Sequence, residues 1–502
     1  MRQRFEQQLS LGLLPISDIR IPVKSRDEMP PTVKALQFIF TTPALNEKVF
    51  GLLEEKICKG KKKTGRSGMD LWHILVLAVI RHATGTNWDR LHMMANGDRY
   101  VREIMGVHCI QNGFEEIEFE YQTILDNVSL LDEDLLYKIN AIVVEAGQQL
   151  LKKKESEIVE LRLKTDSYVL ETNVHFPTDL NLLWDSNRKC LDTVDKLRRI
   201  SDISGWRKIK SIRKAVKSIF RSTSQHVFKG KREAVKISSV KEYLKVSTSL
   251  VERCKEVLTN KNITIVSGEE VLFLALSTIL QDYIDYADKF IKQIDRRLLQ
   301  NETIPAGEKT FSIFEPHTEW ITKGKLSKKV ELGHLLLLTT DQHQLIVDYK
   351  IMKGEKDPSQ VEPLIERLQK TLAGKKVLSH SFDKGFWSKE NFELLEASAT
   401  DQVVLPKRGK HTKADKQREG SKDYKQLRNQ HSAVESNINM LEHHGLNRCM
   451  NKGLHGYKRC VGLSVLAYNL HVVGKAIQVQ EKIVQEKKEK REKQQQLLRQ
   501  AA

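Results

Sequence analysis

No run of the 502 residues approaches the ~18 consecutive apolar positions that a membrane-spanning helix needs. The longest apolar candidates, 71–80 and 271–280, are too short, and a membrane role is not expected. The first ten residues carry Arg, Gln and Glu but no apolar h-region, so export through a signal peptide is not expected either. Cysteine is scarce. Cys58, Cys109, Cys190, Cys254, Cys449 and Cys460 lie far apart with no Cys-x-x-Cys pair, which gives neither a disulfide framework nor a ribbon-type zinc site. A reducing, cytoplasmic compartment is the expectation. There is also no internal repeat, which excludes solenoids and propellers.

Basic charge is what the chain has in excess. Lys and Arg number 83 against 65 acids, for a net charge of +18. That balance points to a polyanionic partner, nucleic acid before a membrane surface. The surplus is clustered: between 201 and 250 there are 13 Lys and Arg against 3 acids. A second cluster runs over 407–428 and a third is Lys-Gly-Lys-Lys-Lys-Thr-Gly-Arg at 59–66. One such cluster is ordinary for a solvated face. Three suit a surface that tracks phosphates without reading sequence.

The pattern of apolar residues divides the chain. Residues 1–150 read as helical: Thr42-Pro43 opens a helix running to Ile57, Ser67 and Asp70 open another that stops near Gly85, and Asn87 and Asp98 cap two short ones. Short helices on tight turns suit a helix-turn-helix or any small bundle, and pattern does not separate these. From 163 to 176 the Val, Thr and Tyr content predicts extended chain, as two short strands. Helices follow from about 180 to 300. The clearest carries Leu276, Ile279, Tyr283, Ala287, Phe290, Ile294 and Leu298 at steps of three and four, a stripe expected to pack within the chain. Extended texture returns at 311–314, 330–338 and 344–351. A helix at 360–372 and strands at 376–381 and 402–405 follow, then helices from about 423. Strand segments on both sides of a long helical stretch predict one α/β core with an insertion.

Chemistry on phosphodiesters within a positive surface calls for carboxylates that hold Mg²⁺, a hard cation that takes oxygen ligands. Asp166 sits inside an extended run, where Asp is disfavoured. Asp383 follows a short strand, and Glu435 lies on a helix with the apolar stripe Val434, Ile438 and Leu441. Each also has a plain reading as an edge-strand charge, a turn residue or a solvated helical Glu.

Six segments in series carry a resemblance. They are Thr-Asp-Ser-Tyr-Val-Leu-Glu-Thr-Asn-Val-His-Phe-Pro-Thr-Asp at 165–179, His-Thr-Glu-Trp-Ile-Thr-Lys-Gly-Lys at 317–325, and Glu-Leu-Gly-His at 331–334. The others are Phe-Asp-Lys-Gly-Phe-Trp-Ser-Lys-Glu-Asn at 382–391, Leu-Pro-Lys-Arg-Gly-Lys at 405–410 and His-Ser-Ala-Val-Glu-Ser-Asn-Ile-Asn-Met-Leu-Glu at 431–442. Together they resemble bacterial insertion-sequence DDE transposases, closest to the ISNCY-type group, over about 70–474. The resemblance implies an α/β fold: an RNase H-like catalytic core interrupted by a helical insertion, with an all-helical N-terminal DNA-binding domain. The domains expected are that N-terminal domain at 1–150, the core at 151–190 and 306–474, the insertion at 191–305, and a charged C-terminal tail at 475–502.

The same resemblance implies that Asp166, Asp383 and Glu435 are the catalytic acids and ligands of Mg²⁺, with Mn²⁺ as a substitute. It implies double-stranded DNA as partner, both terminal inverted repeats and target DNA, and a homodimer on that DNA in the cytoplasm at the nucleoid. Lys323, Lys325, Lys407, Arg408, Lys410 and Arg428 are the expected DNA contacts. One departure stands: some relatives place a Lys seven residues after the glutamate, and here that residue is Glu442, although Tyr424 and Arg428 precede it. Two other classes compete: a DNA-binding protein without catalysis, and a metal-dependent nuclease that hydrolyses without joining. His175, His317 and His334 are expected to be structural, as are Trp184 and Trp387. The zinc reading of His443, His444, Cys449, His455 and Cys460 is set aside because the spacing matches no common site.

Overall fold

The structure is a computed structural model that describes residues 2, 4–7, 13–60, 68–107, 117–151, 159–230, 232–260, 262–322, 330–398 and 400–501, with side chains of the last helix to 495. It is α/β, built on one seven-stranded sheet. The strands are β1 (Glu160–Thr172), β2 (Glu319–Thr322), β3 (Val330–Thr340), β4 (Ile346–Met352), β5 (Lys376–Phe382), β6 (Thr400–Val404) and β7 (Arg448–Cys449). β3 runs antiparallel to both β1 and β4, whereas β5 and β6 continue the sheet from the other edge of β1 in parallel. Five strands therefore lie in the order β4-β3-β1-β5-β6, with β2 also on β3 and β7 on β1.

β1 is one strand of 13 residues, not the two short ones its texture suggested. Pairing on both sides carries it through Asp166, since Asp166 lies opposite Leu338 of β3 and Thr165 opposite Phe382 of β5. The expected extended segment at 311–314 forms no strand. β3 crosses β1 closely where Gly333 faces Glu171, and a Cβ at Gly333 would stand 1.9 Å from the Leu170 carbonyl oxygen.

The N-terminal helices do not form a separate compact unit at 1–150. They belong to one unit, Met1–Asn173 with Ile321–Ala502. The helices Met29–Thr41, Pro43–Ile57, Leu71–Ala83 and Glu133–Leu150 share an apolar core with the sheet and with the long helix Gly453–Ala501. Two polar ties explain the merger. Tyr137 donates to Asp348 of β4, which also takes two bonds from Arg367. Asn140 and Asn469 bond each other and the Ile346 backbone. Backbones also approach: a Cβ at Gly474 would stand 1.7 Å from Pro31 O. Asn87 and Asp98 cap the helices Trp88–Gly97 and Arg99–Met105, and the chain turns at Asp98 rather than at Asn96-Gly97.

The long helix is the one described helix that is long and apolar enough to cross a membrane, and 78% of its apolar window is buried in the unit. In the sequence its apolar stretch is interrupted by Ser464, Asn469 and His471. These polar side chains are themselves buried, and Ser464 and Asn469 are hydrogen-bonded. The expected charged tail from 475 continues this helix, with residues 481–495 exposed.

The second unit is Val174–Trp320, wider than the 191–305 expected. Its first helix, Asp179–Leu197, is capped by Thr178 and buries Leu180, Leu183, Leu191 and Val194 in the unit's own core, which draws this segment out of the catalytic core assigned to it. Ile209–Lys229, Glu233–Thr259 and Glu270–Ile294 complete the bundle. The stripe of the last helix is Leu276, Leu280, Ile284, Ala287, Phe290 and Ile294, so the expected Ile279 is instead exposed.

Candidate active site

Strand register brings two of the three acids together. Asp166 is half-buried at the middle of β1, on the face that also carries Lys164 and Tyr168. Asp383 is the first residue after β5, and because Thr165 pairs with Phe382, it stands at the position beside Asp166. Neighbouring strands lie about 4.8 Å apart. Asp383 is exposed and opens the short 3-10 turn Lys384–Phe386. Glu435 is exposed in the first turn of the helix Ala433–Leu441, whose other face buries Val434, Asn437 and Leu441 and packs against β1.

The layer beneath these acids is polar and saturated. Thr165 shares its hydroxyl with Thr339 of β3 and with His380 Nε2 of β5, each at 2.8 Å, so one buried hydroxyl pins the three central strands in register. Burial pushes the His380 imidazole down to about 3, with His431 adding to the effect, and it is neutral.

Two further residues stand at the site that sequence reasoning did not single out. His431 ends the helix Lys422–His431, and its Nδ1 lies 2.9 Å from Ser381 Oγ. Ser381 Oγ also lies 3.4 Å from Leu163 O, and His431 Nε2 is buried without a hydrogen-bond partner. Burial lowers the His431 pKa, while the charges of Asp383 and Glu435 raise it and Lys164 lowers it. The ring therefore lies within the field of two of the acids. Asp357 is the other. It accepts from Ser167 Oγ at 2.7 Å, and its Oδ2 and that of Asp383 both face Gly385. The signal for His431 was its place in the quoted 431–442 segment. Asp357, in Asp-Pro-Ser, reads only as turn chemistry until the fold places it.

The acids offer oxygen donors only, which suits Mg²⁺ or Mn²⁺. Among the described residues no three His, Cys, Asp or Glu side chains stand close enough to ligate one ion. Mg²⁺ is commonly held by one or two carboxylates with phosphate oxygens completing its shell, and Asp166 with Asp383 meets that demand.

The expected DNA contacts fall into three groups. Lys323 and Lys325 lie outside the described residues. Lys407 is engaged within the protein: it pairs with Asp415, whose carboxyl it holds well below the usual range, and Asp415 closes a capping box with Thr412. Arg408, Lys410 and Arg428 are exposed and have no ion-pair partner among the described residues. Positive φ at Gly409 turns the loop between the first two.

Trp387 packs on Phe392 and has Lys407 over its ring, and Trp184 stacks on Phe220. His175 pairs with Asp185, His317 with Glu315, and His334 is buried edge-on to Tyr457. His444 is buried against Ala83 O, while Glu442 and His443 are exposed. Cys449 and Cys460 are buried as free thiols. No family model, curated protein or solved structure matches the chain.

Proposed function

We propose that this chain is a DNA transposase of the DDE kind, which cuts DNA at the ends of an insertion sequence and joins those ends to target DNA. The observation that carries the reading is the β1–β5 register, which sets Asp166 beside Asp383 at a strand end, with Glu435 on a helix packed against β1. The sheet order supports it: an antiparallel meander extended by two parallel strands is the plan of RNase H-like cores. The basic excess supports a DNA partner.

Asp166 and Asp383 would hold Mg²⁺, with Mn²⁺ able to replace it, and Glu435, on the helix packed against β1, is the third acid of the expected set. The bound cation supplies Lewis-acid stabilisation of charge on the scissile phosphate and its attacking oxygen. The carboxylates orient that phosphate, and His431, bonded to Ser381, lies within the field of Asp383 and Glu435. Exposed Arg408, Lys410 and Arg428, with Lys323 and Lys325, bind backbone phosphates of end and target DNA. The N-terminal helices read the terminal inverted repeats, and two copies bring two ends together as a homodimer in the cytoplasm, at the nucleoid. No nucleophilic side chain enters the scheme, so no covalent protein–DNA species forms.

The test is cleavage of a labelled duplex carrying the element's own end, with Mg²⁺ or EDTA, by wild type and Asp383→Asn. Metal-dependent cutting that the variant loses while still binding DNA, followed by joining to a target plasmid, is the expected result. Nicks without joined product favour a nuclease. Binding without cutting in the wild type favours a protein that only binds DNA.

A further inference from the structure

Next to Asp166 along β1 lies a cleft of about 760 Å³. Its floor includes Arg162 and Lys164 of β1, which precede Asp166 at alternate positions on the same face of the strand. Its wall is the helix Lys422–His431 and the start of Ala433–Leu441, with Gln426 and Gln430 facing in, and Gln402 of β6 closes one side. Among the described residues the side chains of Arg162, Lys164, Gln402, Gln426 and Gln430 have no hydrogen-bond or ion-pair partner. Asp423 is the one carboxylate in the lining, so cations prevail there.

Resting on the transposase reading, we propose that this cleft binds unpaired nucleotides of the DNA strand that adjoins the scissile phosphate. Three features carry the inference. Alternate residues on a strand stand about 6.5–7 Å apart on one face, so Lys164 and Arg162 meet the next two phosphates of an extended strand whose scissile phosphate lies at Asp166. Glutamine amides present paired donors and acceptors that match exposed base edges, which a duplex keeps occupied. The volume is that of a pocket for one small ligand, enough for a nucleotide or two and too narrow for a double helix. No aromatic side chain lines the cleft, so recognition is by hydrogen bonds and charge instead of stacking. The cleft therefore requires local unpairing at the cut site.

The test is equilibrium binding of the full chain to two fluorescent duplexes of equal length, one blunt and one with a short single-stranded overhang at the cut site. It is run in EDTA so that no cleavage intervenes. Wild type should prefer the overhang by about tenfold, and Lys164→Ala and Gln426→Ala/Gln430→Ala should each remove most of that preference while blunt-duplex affinity holds. The glutamine pair is exposed, so that variant keeps the fold even where Lys164→Ala does not. Equal binding of both duplexes by wild type, or a preference that survives the glutamine variant, overturns the cleft assignment and leaves the transposase reading standing. Failure of wild type to bind either duplex overturns the transposase reading itself.

Discussion

Over 161–166 the two faces of β1 differ sharply, while beyond them Tyr168, Val169 and Leu170 are buried on both. On one face Leu161, Leu163 and Thr165 are buried, and the Thr165 hydroxyl is fully used between Thr339 and His380. On the other, Arg162, Lys164 and Asp166 are half-buried or exposed, and neither cation has an ion-pair partner among the described residues. A period of two residues lets one strand do both jobs. The buried face fixes register, and register decides that Asp166 meets Asp383. The site face is then free to hold charges that a packed core would not tolerate.

The sharpest way to break the contrast is to neutralise the site face alone. Asp166→Asn should lower the cleavage rate by roughly three orders of magnitude, about 4 kcal/mol of barrier, while the thermal midpoint moves little. A variant that cleaves within tenfold of wild type removes Asp166 from the chemistry.

Damage to the register should instead act through stability. Gly333→Val places side-chain atoms against the Leu170 carbonyl and parts β3 from β1, at a cost of about 3 kcal/mol or more. The urea midpoint of the variant checks this, and an unchanged midpoint refutes the close approach. Thr165→Val is milder. It leaves His380 and Thr339 without their shared partner, for about 1–3 kcal/mol, with cleavage per folded molecule within a few-fold of wild type.

Acid should weaken the buried side next. His380 is held down to about 3 and His73 to about 4 by burial, so both stay neutral in the fold. The unfolded chain takes up their protons below about 6.5, so it binds more protons than the fold in that range. Their contribution is therefore constant above about 6.5 and falls as pH drops toward 4, by about 1.4 kcal/mol per pH unit for each histidine. Urea midpoints at pH 7.5 and 5 should differ accordingly, and His380→Gln should flatten the slope. Equal midpoints at the two pH values would show that these rings are not buried neutral.

Local signals in the sequence matched local structure well. Asn87 and Asp98 cap the helices that their spacing implied, and β3 to β6 and the helix Val361–Thr371 sit within a few residues of where texture put them. Tertiary effects were not legible. Nothing local says that β1 runs unbroken through Asp166, because its continuity comes from β3 and β5 on either side. Nothing in residues 133–150 announces that Tyr137 and Asn140 will bond β4 and the last helix. The stripe around Leu276 was recognised but misplaced by one residue at Ile279, because steps of three and four can be laid over one helix in more than one way. For the candidate site, the motifs named Asp166, Asp383 and Glu435 one by one, whereas the nearness of Asp357 and His431 to them depends on which strand ends meet.

The same limit applies to the basic cluster at 407–428, and it yields the smallest effect. Counted along the chain, Lys407, Arg408 and Lys410 are equivalent. In the fold Lys407 is bound to Asp415, while Arg408 and Lys410 stand exposed on either side of Gly409. A cation already paired releases no counterion when phosphate arrives, so only free cations contribute to the salt dependence of DNA binding. Arg408→Ala and Lys410→Ala should each reduce the log–log slope of affinity against salt by about 1. Lys407→Ala should leave that slope within error and lower stability instead, since it strips Asp415 of its partner. If all three substitutions reduce the slope equally, the Lys407–Asp415 pair opens on DNA, and the division between engaged and available groups seen on the two faces of β1 does not extend to this loop.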